Sequence, residues 1–134
     1  MAKPTKRRVG MIVLDSNIII YLSKNKLLID DIFQDENEQY AISIITYMEI
    51  LGYDFKNVKE ENIIKAIIAQ LNTIFIDSKI ADKVIELKKR YKIKMPDAII
   101  CATNIANDAI LITNDKRLKV VDDLKLIIKS YTLQ

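Results

Sequence analysis

The chain has 134 residues, half of them hydrophobic and 29% charged, with a formal net charge of +3; this is the composition of one globular domain and not of a disordered segment. It contains no histidine, which excludes Ser-His-Asp and Cys-His triads, imidazole acid–base catalysis and every His-ligated metal centre. Cys101 is the single cysteine and Gly10 and Gly52 are the only glycines, so a structural zinc site, an intramolecular disulfide, a P-loop and a glycine-rich dinucleotide turn are excluded too. Carboxylates, amides, hydroxyls and lysines are left to do any chemistry.

Residues 1–10 carry Lys3, Lys6, Arg7 and Arg8 and no acid, so this one segment accounts for the whole positive excess and the rest is close to neutral. We expect 1–10 to be a basic tail, unstructured or an addition to the natural chain, and residues 11–134 to be the domain. The longest apolar runs, Ile18–Leu22 and Ala98–Ala102, have five residues. A membrane helix requires roughly 20. No apolar stretch of the kind a secretory signal needs follows the basic start, so the expected location is cytoplasmic.

Met11–Leu14 (MIVL) is a fully apolar run, as expected of a strand covered on both faces of a parallel sheet. Ala41–Ile45 reads the same way, and TYMEIL after it reads as a helix carrying Glu49. Apolar residues at helical spacing mark Glu60–Leu71 and Ser78–Tyr91, the latter with Ser78 as a candidate N-cap. Thr73–Ile76 lies between them as a strand of lower contrast. Pro96–Ala106 is apolar nearly all the way round and predicts a buried helix, with Pro96 in its first position and Asp97 in its first turn. Ala109–Ile112 and Leu126–Ile128 complete the strands. Strands alternating with helices imply an α/β fold with a mainly parallel sheet.

Four acids stand where a solvated charge is not expected. Asp15 directly follows MIVL, Glu49 sits in the helix after the second strand, Asp97 opens the buried helix, and Asp115 follows AILIT by two residues. Each has an ordinary role available. Asp15 can cap the next helix, Asp97 can suit a helix dipole, Glu49 can face solvent and Asp115 can make a turn. Together they predict a cluster, because the C-terminal edge of a parallel sheet is where ligand crevices form. Clustered carboxylates repel one another and call for a cation. With no imidazole to offer, Mg²⁺ or Mn²⁺ is the ion that fits, and such an ion can activate water against a phosphodiester.

The segments VLDSNIII, SIITYMEILGY, KMPDAIICATNIA and ILITNDKRL, in this order, resemble the four acidic motifs of PIN-domain ribonucleases, and most of all the VapC toxins of toxin–antitoxin pairs. The likeness spans about residues 11–131. It implies a PIN-like three-layer α/β/α fold with a mainly parallel central sheet. It implies that Asp15, Asp97 and Asp115 hold Mg²⁺ or Mn²⁺, that Glu49 orients water or a second ion, and that Asn17 and Thr113 support the ligands. It further implies an RNA substrate, a cognate antitoxin protein and a homodimer. Leu118 departs from the aromatic residue that many relatives place after the fourth acid.

Among the basic residues near the acids (Lys88, Lys89, Arg90, Lys92, Lys94, Lys116, Arg117 and Lys119), Lys116 and Arg117 adjoin a proposed ligand and are the candidate RNA contacts. Tyr47, Tyr53 and Tyr91 are read as packing residues and Cys101 as a small buried apolar one. Two other functions stay open: a housekeeping PIN nuclease without an antitoxin, and a non-catalytic Mg²⁺-binding acidic module akin to a phospho-receiver. The receiver pattern puts an acidic pair early and a lysine on a late strand. Here the late strand carries Thr113 and Asn114.

Overall fold

The computed structural model describes residues 10–130; Lys3, Lys6, Arg7, Arg8 and the end of the chain from Tyr131 lie outside the described residues. Five strands run through the described part: β1 (Met11–Leu14), β2 (Gln39–Ser43), β3 (Asn72–Ile74), β4 (Ile110–Thr113) and β5 (Lys125–Ile128). They form one sheet in the order β3-β2-β1-β4-β5, and every neighbouring pair is parallel. Parallel neighbours need crossovers, which the helices supply. These are α1 (Ser16–Ser23), the single turn α2 (Ile29–Ile32), α3 (Ile44–Leu51), α4 (Val58–Ala69), α5 (Ser78–Arg90) and α6 (Met95–Ala106). None of them, among the described residues, is long and apolar enough to cross a membrane.

Alternation along the strands sorts the interior into two layers. Leu14, Ile42 and Ile112 pack with Ile18 and Ile19 of α1 and Ile64 and Ile68 of α4. Val13, Ala41 and Leu111 face the other way, onto Ile80, Val84 and Leu87 of α5 and Ala98, Cys101 and Ala102 of α6. Small side chains on both sides of that second layer let α6 lie close to the sheet. Both faces are buried, which is why the strands read as continuous apolar runs. The result is the three-layer α/β/α arrangement that the PIN resemblance implied, on the parallel sheet that the alternation of strands and helices predicted.

Several boundaries move, each for a local reason. The second strand ends at Ser43 instead of Ile45, because the Ser43 hydroxyl accepts the Ile45 N–H at 3.2 Å and starts α3. The N-cap of α5 is Asp77, whose carboxylate accepts the Ile80 N–H at 2.9 Å; Ser78 is the first helical residue. Helix α6 starts at Met95 with Lys94 as its cap, which puts Pro96 second and leaves Asp97 in the first turn. Helix α1 is the helix that Asp15 caps, and the 3₁₀ turn Lys116–Val120 adds an element beyond those the periodicity predicts. Asp108, in a left-handed conformation at φ 50°, turns the chain from α6 into β4.

The strand order reverses at β1. Strands β2 and β3 build outwards on one side, β4 and β5 on the other. In a doubly wound sheet the crevice lies at this switch point, beyond the C-terminal ends of the two strands that flank it. Here those strands are β1 and β4, and the residues that leave them are Asp15 and Thr113.

Candidate functional site

Asp15 leaves β1 while still bound to the sheet, its N–H donating to the Ile112 carbonyl of β4 at 3.0 Å. Its side chain is buried, at 6% exposure. Oδ1 accepts the Ser16 N–H at 2.8 Å, capping α1, and Oδ2 accepts the Thr113 hydroxyl at 2.7 Å. Asp15 therefore does cap the helix, and the cap itself turns its carboxylate toward β4.

Thr113 is wholly buried and serves as the hub. Besides donating to Asp15, its Oγ1 accepts the Asp115 N–H at 3.0 Å and the Asn17 amide at 3.3 Å. The Asn17 carbonyl in turn accepts the Asn114 N–H at 3.0 Å. These bonds tie the start of α1 to the end of β4 across nearly 100 residues of sequence. Two members were not singled out from sequence. Asn114 donates from its amide to the Tyr21 hydroxyl at 2.7 Å and accepts the Ser130 hydroxyl at 3.1 Å. Tyr21 lies four residues after Asn17, on the same face of α1, which was the available signal.

Asp115 caps the 3₁₀ turn and is held by Arg117. The Arg117 Nε and Nη2 donate to Oδ1 and Oδ2 at 2.9 and 2.7 Å. This fork keeps the Asp115 carboxyl below its ordinary pKa. Asp15 is pushed the other way. Burial raises its pKa, Asp97 and Asp115 add to the rise, and the bonds from Thr113 and Ser16 oppose it. Glu49 is also raised, first by partial loss of hydration, then by the charges of Asp15 and Asp97. It lies on the exposed side of α3 and lines a cleft of about 350 Å³ with Ser16, Lys24, Tyr53, Phe55 and Glu60. A larger hollow of about 890 Å³ lies at the opposite end of the sheet, against Gln39, Tyr40 and Asn72, and holds none of the four acids.

Cys101 lies within the field of the same acids. It is fully buried one turn after Asp97, and its thiol is pushed up to about 12 by burial and then by Asp97, Asp15 and Asp115. Three of the acids thus act together on one point of α6, while the thiol itself is inert. Glu49 belongs to the same field through Asp15 and Asp97.

The donor set is all oxygen and anionic, which suits a hard divalent cation. The spacing is open, however: among the described residues no three acidic or cysteine side chains stand close enough to hold one ion. Asp15 and Asp115 have both oxygens turned to protein donors.

The remaining candidates sort by contact. Lys116 is exposed at the rim. Lys88 donates to the Ile93 carbonyl, and Arg90 pairs with Asp122 and Asp123, so these two brace the chain between α5 and β5. Tyr91 is half-buried against the α5–α6 layer, and its hydroxyl accepts the Asp122 N–H at 3.1 Å. Tyr47 and Tyr53 are exposed, Tyr53 standing edge-on to Phe55 at 5.2 Å in the cleft wall. Leu118 is 4% exposed and fills the layer below the 3₁₀ turn, so the departure at this position is accommodated by apolar packing.

Among curated protein sequences none matches the chain. Solved structures do. The toxin–antitoxin complex from Klebsiella pneumoniae shares 29% identity at a TM-score of 0.71, over 87% of this chain and 95% of that one. VapBC-1 from nontypeable Haemophilus influenzae shares 27% at 0.73, over 88% and 97%. VapBC2 from Rickettsia felis, bound to a DNA fragment from its promoter, shares the fold at 22% identity and a TM-score of 0.77, over 88% and 98%. The sequence model of the PIN domain matches residues 12–124. With this match over most of its length and the VapBC likeness beside it, the chain belongs to the PIN-domain family and is VapC-like.

Proposed function

We propose that this protein is a divalent-metal-dependent endoribonuclease, the toxin of a VapBC-type pair. PIN domains are nucleases, and the family generally depends on divalent metal. The observation that supports the reading is the buried Asp15, fixed at the switch point by Thr113 and repelled by Asp97 and Asp115. A buried carboxylate pressed by two others is a poor arrangement for stability alone and a suitable one for a cation.

In this reading Asp15, Asp97 and Asp115 hold Mg²⁺ or Mn²⁺. The ion, when bound, supplies an activated water and compensates the charge that grows on the leaving oxygen of a phosphodiester. Asn17 and Thr113 fix the Asp15 and Asp115 ends of the site. Glu49, on the wall of the cleft beside Ser16, orients water or a second ion. Lys116 meets the RNA backbone; Arg117, first read as a second RNA contact, is committed here to the Asp115 carboxylate. An antitoxin protein is the partner that the VapBC neighbours suggest, and the family likeness adds a second copy of the chain.

The test is cleavage of structured RNA by the full chain with Mg²⁺ or Mn²⁺, set against excess EDTA. The metal should also raise the melting temperature by binding only the folded state, and Asp97→Asn should weaken that rise. Expression without a partner should halt growth, and Asp15→Asn should relieve the arrest. Robust cleavage in EDTA overturns the metal reading. Metal-dependent cleavage without growth arrest instead favours an RNA-processing nuclease with no antitoxin.

A further inference from the structure

Asp115 is held from two residues along its own chain. Arg117 takes both carboxylate oxygens through Nε and Nη2 at 2.9 and 2.7 Å, and its backbone N–H adds a third bond to Oδ1 at 3.0 Å. A planar guanidinium matched to both oxygens is the strongest form of this pairing. The two partners are not equally placed. The Asp115 side chain is 19% exposed and that of Arg117 is 76% exposed. Leu118, buried at 4%, pins the turn that carries them both. The fork therefore has a fixed inner half and a solvent-facing outer half.

We propose that Arg117 is a positioning residue, an internal cation that turns Asp115 away from the metal shell and must release it before Asp115 can act as a ligand. The proposal rests on the divalent-metal reading given above. The outer half of the fork can swing into water without disturbing the fold, because the Arg117 side chain is 76% exposed. The arriving ion then competes with the fork for the same two oxygens, and it is repelled by the guanidinium until the fork opens.

The test is Mn²⁺ affinity of the full chain, by calorimetry or by the electron spin resonance of free Mn²⁺, at fixed ionic strength. Arg117→Ala should bind Mn²⁺ about tenfold tighter than wild type, the scale of one charge-assisted pairing. Arg117→Lys should also tighten binding, though less, since a lysine keeps the charge and cannot fork both oxygens. Lys116→Ala removes the same unit charge from the adjacent residue without touching the fork, and should change affinity less than about threefold because exposed charges are screened. In an Asp115→Asn background the advantage of Arg117→Ala over Lys116→Ala should vanish. Affinity in Arg117→Ala equal to or weaker than wild type overturns the proposal, as does a gain matched by Lys116→Ala or retained beside Asp115→Asn. Failure of every protein, wild type included, to bind Mn²⁺ sinks the metal reading itself; wild-type binding that ignores Arg117 overturns this inference alone.

Discussion

Asp15 and Asp115 leave neighbouring parallel strands at one edge of the sheet, yet their surroundings pull them in opposite directions. Asp15 is buried against the start of α1 and is hard to ionise. Asp115 lies two residues beyond β4, at the rim, and the Arg117 fork makes it easy to ionise. What separates them is depth and partner, since the residue type and the edge are shared. A buried carboxylate answered only by neutral donors retains unmet charge. A rim carboxylate answered by a guanidinium has little left for another cation. The β1 exit is therefore the demanding end of the site, and the β4 exit is the guarded one.

This contrast breaks first at catalysis. Asp15→Asn should reduce RNA cleavage by at least about a thousandfold, the scale on which a lost charge-stabilising group is felt. Asp115→Asn should cost less than Asp15→Asn, because the Arg117 fork already occupies both oxygens of that ligand in the free protein. Single-turnover rates with Mn²⁺ on the same RNA measure both. Equal losses would mean that the two exits are equivalent and that depth does not matter.

Next comes the hub that joins the two exits. Thr113→Val keeps the shape and removes the donor to Asp15 and the acceptor for Asn17 and the Asp115 N–H. Leaving these buried and part-buried groups unpaired should cost about 1–3 kcal/mol by urea unfolding. Cleavage should fall as well, because the Asp15 carboxylate loses the bond that orients it. A Thr113→Val protein of unchanged stability would show that water replaces the hydroxyl and that the network is not cooperative.

Much of this was legible because it rests on short-range pattern. MIVL is apolar on both faces, so β1 and the acid that ends it could be placed from four letters. The apolar circumference of Ala98–Ala106 announced the buried helix, and the acids stood out against such neighbours. Boundaries blurred where apolar character runs straight through a change of structure. In AISII the strand passes into α3 with no polar break, and only the Ser43 hydroxyl marks the turn. Ile18–Leu22 in α1 is as continuous as a buried strand, and periodicity alone cannot separate the two. The Arg117 fork depends on the 3₁₀ geometry that folds position 117 back onto 115, and the Asn114–Tyr21 bond depends on how α1 lies across β4. The fork leaves no pattern in the sequence, and for the second bond only the four-residue spacing of Asn17 and Tyr21 hints at it.

The opposite pKa directions also give opposite pH signatures. A carboxylate whose pKa is raised on folding opposes folding when ionised, so stability recovers as pH falls through the raised value toward the ordinary one. A carboxylate whose pKa is lowered contributes stability above its ordinary value, and that contribution is lost as pH falls through the depressed one. In EDTA at neutral pH, Asp15→Asn should therefore melt a few degrees above wild type and Asp115→Asn slightly below it. Both differences should shrink toward pH 3, the Asp15 difference starting to close at the higher pH. Melting curves between pH 3 and 8 decide this. A pH-independent difference for both variants would remove the electrostatic distinction between the exits.

The smallest effect belongs to the rim beside the guarded exit. Lys116 is exposed and, among the described residues, makes no ion pair with a carboxylate, so its charge is available to an approaching phosphate. Replacing it by alanine removes one phosphate contact. That should weaken RNA binding severalfold near physiological salt and flatten the slope of log K against log salt by about 0.7, the value for one contact on a single strand. Unfolding free energy should stay within about 0.5 kcal/mol of wild type, since an exposed lysine in a turn packs against nothing. An unchanged salt slope would take Lys116 out of the RNA interface. A slope flattened equally by Lys89→Ala, on the far side of α6 from the 3₁₀ turn in sequence, would make the attraction a property of the whole basic rim, and the β4 exit would then lose its special place in guiding RNA.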